Sequence, residues 1–249
     1  MIEPIGLYAM WTREIKVYTR ERSRIVSSIF TPILWLFVFG VGIGSFATVG
    51  EYDYQTYIFP GIICMSTLFT SVFFGVYIVW DRKIDFLKEV LVSPLSRVTI
   101  FLGKVIGGTT DAMIQASIIL LLGPFLGIKY SPVSVLLSMV LIFILTVGLV
   151  SIGLTLGSMM ESPEGFGLIV SFVVFPLFFL SGALFPIDNL PAWLSPLVLA
   201  DPVTYGVDGL RYLLLGTSQF SLFLDFSVLI VFSSVMVLIG SKAFERMKV

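Results

Sequence analysis

Six stretches almost free of charged residues divide this 249-residue chain, and they limit its fold more than any other feature. They cover residues 25–47, 55–80, 105–128, 132–159, 165–186 and 222–243. A helix needs about 20 apolar residues to cross the hydrocarbon core of a bilayer. Backbone groups find no water there, so a spanning segment of this length must bond them internally, as a helix. Six spanning helices and an all-α integral membrane fold follow, with the whole chain read as one transmembrane domain. Composition agrees: 57% of residues are hydrophobic and 12% charged, against about 25% charged in soluble domains. A soluble core of this size cannot hide that much apolar surface, which excludes an ordinary water-soluble globule and a disordered chain.

An even number of spans places both termini on one side. Thirteen of the 15 basic residues fall on that side, in the N-terminal segment, the loop after span two and the C-terminal tail; only Lys129 and Arg211 fall on the other. The positive-inside rule then predicts cytoplasmic termini in a multi-pass cell-membrane protein. The first 24 residues hold five basic and three acidic groups and no small-residue cleavage site, so no signal peptide is expected.

Absences narrow the chemistry. There is no histidine, which excludes a Ser-His-Asp triad, a His-liganded metal and a His proton relay. The single cysteine, Cys64, has no internal disulfide partner and reads as a small buried hydrophobe. No phosphate-binding loop, dinucleotide fingerprint or metal-ligand spacing occurs, so no catalytic site or cofactor is expected in this chain. A net charge of −1 gives no reason to expect a nucleic-acid partner. No internal repeat is evident, and paired intramembrane acids or bases for an ion circuit are missing.

The remaining polar segments are the candidates for function. Near the N-terminus, Ile5, Tyr8, Trp11, Ile15 and Tyr18 recur at helical steps, which predicts an amphipathic helix over 3–24 lying in the cytoplasmic interface. A plain solvated helix is the alternative. After span two, Phe86, Leu87, Val90 and Leu91 form an apolar face, and Arg82, Lys83, Asp85, Lys88 and Glu89 a charged one. This predicts a helix over 81–93 ended by Ser93-Pro94, either a lever that docks a partner or a solvated loop helix. Residues 187–219 hold three prolines, Pro191, Pro196 and Pro202, and apolar pieces too short to span. Short helices dipping into the outer leaflet are expected there, with Asp188, Asp201, Asp208 and Arg211 near the outer interface. Asp111 interrupts span three. Such residues are costly in lipid, so it is a candidate for transport or for structural pairing near the interface. Gly40/Gly44, Gly103/Gly107 and Gly153/Gly157 permit close helix approach or dimerisation. The 23 phenylalanines supply lipid-facing surface or the wall of an apolar pathway.

Two stretches resemble the type-2 ATP-binding-cassette (ABC) exporter permeases, a family containing drug-efflux and glycolipid-export permeases. One is FLKEVLVSPLSRVTIFLGK, residues 86–104; the other is FLSGALFPIDNLPAWLSPLVLADPVTYGVDGLRYLL, residues 179–214. The six-span layout matches across nearly all of the chain. One departure is that Ile84 and Asp85 stand where relatives often have a small residue such as glycine. The resemblance implies a permease subunit working as a homodimer, or with a similar partner, among membrane lipids. It also implies two copies of a separate ATPase subunit, which would carry the ATP and magnesium. A coupling helix would map onto about 81–93, with Asp85, Phe86, Glu89 and Leu91 at the ATPase contact. An outer gate would include Pro202, Tyr205 and Arg211. ATP-driven closure would pull the coupling helices, spans two and three would tilt as rods continuous with them, and a hydrophobic or amphiphilic cargo would leave past the outer helices. An ATP-independent channel or secondary transporter is the alternative, and a lipid-acting membrane enzyme a weaker one.

Overall fold

A computed structural model describes residues 3–44, 48–49, 52–187 and 191–247. The chain opens with α1 (Pro4–Arg20) and, after the single residue Glu21, α2 (Arg22–Gly44). A two-stranded antiparallel ribbon, β1 (Thr48–Val49) and β2 (Tyr52–Asp53), leads into α3 (Tyr54–Phe73). Then come the short helices α4 (Val76–Lys83) and α5 (Phe86–Val92), followed by α6 (Arg97–Leu120), α7 (Pro132–Met159) and α8 (Pro163–Leu180). Two short helices, α9 (Ser195–Ala200) and α10 (Pro202–Leu215), precede α11 (Leu222–Glu245). With α3 and α4 taken as one kinked span, six helices among the described residues are long and apolar enough to cross a membrane. The fold is all-α and membrane-integral.

Local sequence sets the helix starts. Ser96, Ser131, Ser162 and Ser221 precede α6, α7, α8 and α11, and each accepts a bond from a backbone N–H of the first turn. These hydroxyls satisfy donors that the helix itself leaves unpaired. Pro132 and Pro163 open two of those helices, where their missing N–H costs nothing. The uncharged helix α7 is central and touches α3, α4, α6, α8, α10 and α11. Its Leu141, Leu145 and Leu149 pack with Ile58, Ile62 and Leu68 of α3.

Close helix approach explains two of the three glycine pairs. Gly153 and Gly157 of α7 face the backbone carbonyls of Val72 and Gly75, where a Cβ would overlap them. The bend between α3 and α4 therefore lies directly against α7. Gly103 and Gly107 of α6 seat the side chains of Met10 and Glu14. Both pairs thus serve packing within one chain. Gly40 of the third pair faces Gln55.

The structure refines three expectations. The N-terminal helix, expected to be amphipathic, packs lengthwise against α6. Glu3 bonds Ser96 and Thr99, Met10 meets Gly103, Glu14 meets Gly107, and Trp11 donates to Thr110. Successive turns of α1 and α6 meet in the same order, so the helices run side by side in one direction. The buried column is Gly6, Met10, Glu14 and Tyr18, while Ile5 and Tyr8 are 86% and 63% exposed. The glycine groove on α6 selects residues four apart, and hydrophobicity alone does not reveal that.

The expected helix over 81–93 is not continuous with its neighbours. α4 ends at Lys83, α5 spans only Phe86–Val92, and α6 starts at Arg97. Asp85, at φ 57, is the one described non-glycine residue in the left-handed region, and it ends the run from α4. Ser93 is extended ahead of Pro94, as that proline requires. A further break at Phe74–Gly75 separates α3 from α4. Spans two and three are therefore jointed to the short helix and are not rods continuous with it.

Some span limits also move. Ser96 caps α6 and starts it at Arg97 instead of 105, and α8 ends at Leu180 instead of 186, with Gly182 at φ 70 just beyond. Of the expected first span, residues 45–47 lie outside the described residues.

Candidate functional site

The basic end of the molecule carries a hub of buried charges centred on α4. Lys104 of α6 is fully buried, and its Nζ lies 3.0 Å from Glu14 Oε1 and 2.6 Å from Asp81 Oδ2. Arg13 donates to Glu14 at 2.7 Å and to both oxygens of Asp81 at 3.2 and 2.5 Å. Glu14 and Asp81 are each 2% exposed. Two cations and two carboxylates thus make a neutral quartet linking α1, α4 and α6. Burial alone disfavours the Arg13 charge, but the Glu14 and Asp81 carboxylates outweigh it and raise its pKa further. Such a group contributes little net stability over an apolar core, because desolvation opposes the attraction; its value is in fixing position.

The same short helix holds two more elements. Arg82 donates to the carbonyls of Met160 and Ser158 at 2.9 and 2.8 Å, at the end of α7. Tyr77 donates to Glu21 and accepts from Arg24 at 2.7 Å, at the joint of α1 and α2. Helix ends leave carbonyls unpaired and carry partial negative charge, so an arginine there suits both needs. Arg97 does likewise for α11, donating to Glu245 and Met247 carbonyls at 2.7 and 2.9 Å. Glu3 accepts from the Ser96 N–H at 3.1 Å and the Thr99 hydroxyl at 2.8 Å. Those bonds, the Ser96 N–H foremost, hold the Glu3 carboxyl below its usual range.

The residues expected at a partner contact lie just beyond the hub. Phe86 opens α5, and the Arg13 guanidinium sits 4.3 Å from its ring centre, a cation–π contact tying α5 to the quartet. Asp85 and Glu89 are both exposed. The side chains of Leu91 and Lys88 lie outside the described residues. Asp111 forms an ion pair with Arg24 at 3.0 Å. Lys104 lies in the same helix and is equally buried, so Asp111 is not the only interior charge of that span.

Above the Arg24–Asp111 pair is a cavity of about 640 Å³ between α2, α3, α6 and α8. Trp35, Phe69, Phe73, Phe166 and Phe175 line it, and Arg24, Tyr77 and Gln115 form its polar end. Gln115 donates to the Ser28 carbonyl at 2.6 Å and accepts from Thr70, which fixes the polar wall. Several phenylalanines are thus cavity wall, while Phe172 and Phe179 of α8 face outward.

At the far end, α10 is packed among α3, α7 and α11. Pro202 is its first residue, capped by Asp201, which accepts from the Val203 N–H at 2.8 Å. Tyr205 donates to the Leu199 carbonyl at 2.9 Å. Arg211 donates to the Gly182 carbonyl at 2.9 Å and lies 4.2 Å from the Tyr57 ring centre. Asp208 accepts from the N–H groups of Gln219 and Phe220. Asp201, Asp208 and Arg211 are buried in the protein instead of resting at its surface; Asp188 lies outside the described residues. Tyr205 and Arg211, the residues expected at an outer gate, each anchor a separate backbone carbonyl, Leu199 and Gly182.

Sequence reasoning missed the quartet. No pattern of charge or hydropathy in the sequence singles out Glu14 or Asp81, and Lys104 falls at the end of the segment between spans two and three. One signal was available: Glu14 stands in a four-residue column with Gly6, Met10 and Tyr18, and Lys104 sits inside the Gly103/Gly107 pair.

Comparison with known proteins agrees with this architecture. The ABC-2 type transporter family profile matches residues 6–215. The inner membrane transport permease YadH of Escherichia coli (strain K12) is 31% identical over 243 residues, covering 92% of this chain and 90% of YadH. The ycf38 transport permease of Cyanophora paradoxa is 30% identical over 199 residues, covering 78% of this chain and 69% of that protein. Nodulation protein J of Rhizobium leguminosarum bv. viciae is 24% identical over 244 residues, covering 96% and 93%. With the family profile spanning most of a six-span helical membrane domain, this chain belongs to the ABC-2 type transporter family of transport permeases.

Proposed function

We propose that this permease subunit exports a hydrophobic or amphiphilic cargo, driven by separate ATPase subunits that dock on α5. The observation that carries the reading is the convergence of ionic contacts on α4. Jointed at Gly75 and at Asp85, this eight-residue helix grips α1 through Asp81, the start of α2 through Tyr77, α6 through Asp81, and the end of α7 through Arg82. A push on α5 is passed through the Arg13–Phe86 contact and α4 to all of them at once. The cavity between α2, α3, α6 and α8 widens or narrows as those elements shift, which biases two states of the pathway. Its aromatic walls suit an apolar body, and its Arg24 end a polar head. A second permease copy closes the lightly covered faces of α2 and α8, where Phe30, Phe37, Leu168 and Phe172 are exposed. The hub faces the cytoplasm, by the distribution of lysine and arginine.

Glu89→Arg tests the dock. The substitution reverses one exposed charge on α5 and leaves the buried hub intact. The expected outcome is loss of ATPase copurification with unchanged membrane insertion. Normal ATPase association and cargo-stimulated hydrolysis in that variant would contradict the assignment.

A further inference from the structure

We propose that the outward face of α1 binds an acidic phospholipid headgroup through Lys16 and Arg20. The face opposite the Gly6–Tyr18 column bears a shallow depression of about 530 Å³, lined by Ile5, Tyr8, Thr12, Arg13, Lys16 and Arg20 among others. Its cations are not equivalent. Arg13 is committed to Glu14 and Asp81, within a quartet of zero net charge. Lys16 and Arg20 are exposed, and among the described residues neither is in an ion pair. Glu21, next to Arg20 in sequence, is held by Tyr77 and lies 3.8 Å from Arg24.

Lys16 and Arg20 stand one helical turn apart, so an ammonium and a guanidinium line up along one side of the helix. That row suits a phosphate bearing negative charge. Its depth selects a lipid over a soluble acidic protein. Charges cease at Arg24, and residues 25–44 of α2 carry none. Lys16 and Arg20 therefore sit where the chain approaches the apolar layer, at the level of headgroups. Each cation near an anionic bilayer surface contributes about 1 kcal/mol, so removing both lowers affinity about thirty-fold, the equivalent of about 2 kcal/mol.

The test uses the full chain, stripped of bound lipid and placed in nanodiscs of phosphatidylcholine with or without phosphatidylglycerol. Retained lipid is identified by native mass spectrometry, and affinity is followed by titration. The wild type is expected to retain phosphatidylglycerol in preference to phosphatidylcholine. Lys16→Gln with Arg20→Gln, two exposed changes, is expected to lose that preference about thirty-fold. Lys242→Gln with Arg246→Gln, at exposed basic positions elsewhere, is expected to keep it. An unchanged preference in the first variant, or an equal loss in the second, would overturn the proposal. So would capture of a soluble acidic protein on this face with no preference between the two lipids.

Discussion

The two ends of the molecule bury charge in opposite ways. At the basic end, side chains pair with side chains on other helices: Lys104 with Glu14 and Asp81, Arg13 with both, and Arg24 with Asp111. At the far end, side chains pair with backbone: Asp201 with Val203, Asp208 with Gln219 and Phe220, Arg211 with Gly182, and Tyr205 with Leu199. The far-end bonds answer a local need, because broken helices expose backbone groups that an apolar surrounding cannot satisfy. They fix one segment in place. The basic-end bonds cross between separately jointed helices and tie those helices to one another. One end pins a single segment, and the other links several helices.

The largest effect that would separate the two is at Lys104. Lys104→Met leaves two buried carboxylates facing Arg13 alone, and breaking such a group costs about 3–5 kcal/mol. Thermal unfolding is expected to fall and hydrogen exchange to rise along α1, with α10 protected as before. Asp208→Ala should do the converse. It removes the acceptor for the Gln219 and Phe220 N–H groups, at a cost of about 1.5–3 kcal/mol for bonds to a charged group. Faster exchange is expected at those amides and none at α1. Equal spread of either effect to both ends would erase the distinction.

Asp85 gives a smaller effect of either sign. Its left-handed backbone is strained for most L-residues by about 1–2 kcal/mol. Asp85→Gly is therefore expected to raise the unfolding free energy by up to about 1 kcal/mol, and Asp85→Val to lower it. A gain from valine would show that the joint is not strained. The smallest effect is at Glu3. Its carboxyl is held below the ordinary value by Ser96 and Thr99. Its contribution is thus fully present above the unfolded value of 4.5 and lost as pH falls through the lower folded one. Acidification is expected to free the first turn of α1, seen as faster exchange there, and Glu3→Gln to abolish that pH dependence.

Much of the frame was legible because lipid imposes a long, uncharged pattern on each span. Prolines and apolar pieces marked α9 and α10, and Ser93-Pro94 marked the end of α5. The linkage was not legible in the same way. Nothing in the sequence pattern ties Glu14 to Asp81; the glycine groove of α6 brings α1 alongside, and the bend at Gly75 sets α4 against α7. The joint at Asp85 was visible only as a residue standing where relatives often carry glycine, and its left-handed backbone supplies the physical reason. Periodicity reports which face of a helix is apolar. It does not report which neighbour that face meets.

The most direct test of the linkage is the width of the cavity during ATP binding. Spin labels on cysteines replacing Val26 of α2 and Ile169 of α8, both exposed, would read it; native Cys64 is buried and stays unlabelled. In the reconstituted complex with its ATPase, nucleotide trapping is expected to shift the distance in the otherwise unaltered protein. In Lys104→Met, with the ATPase still bound, the shift is expected to vanish. The same shift with and without Lys104 would show that force reaches the spans by another route and contradict the account.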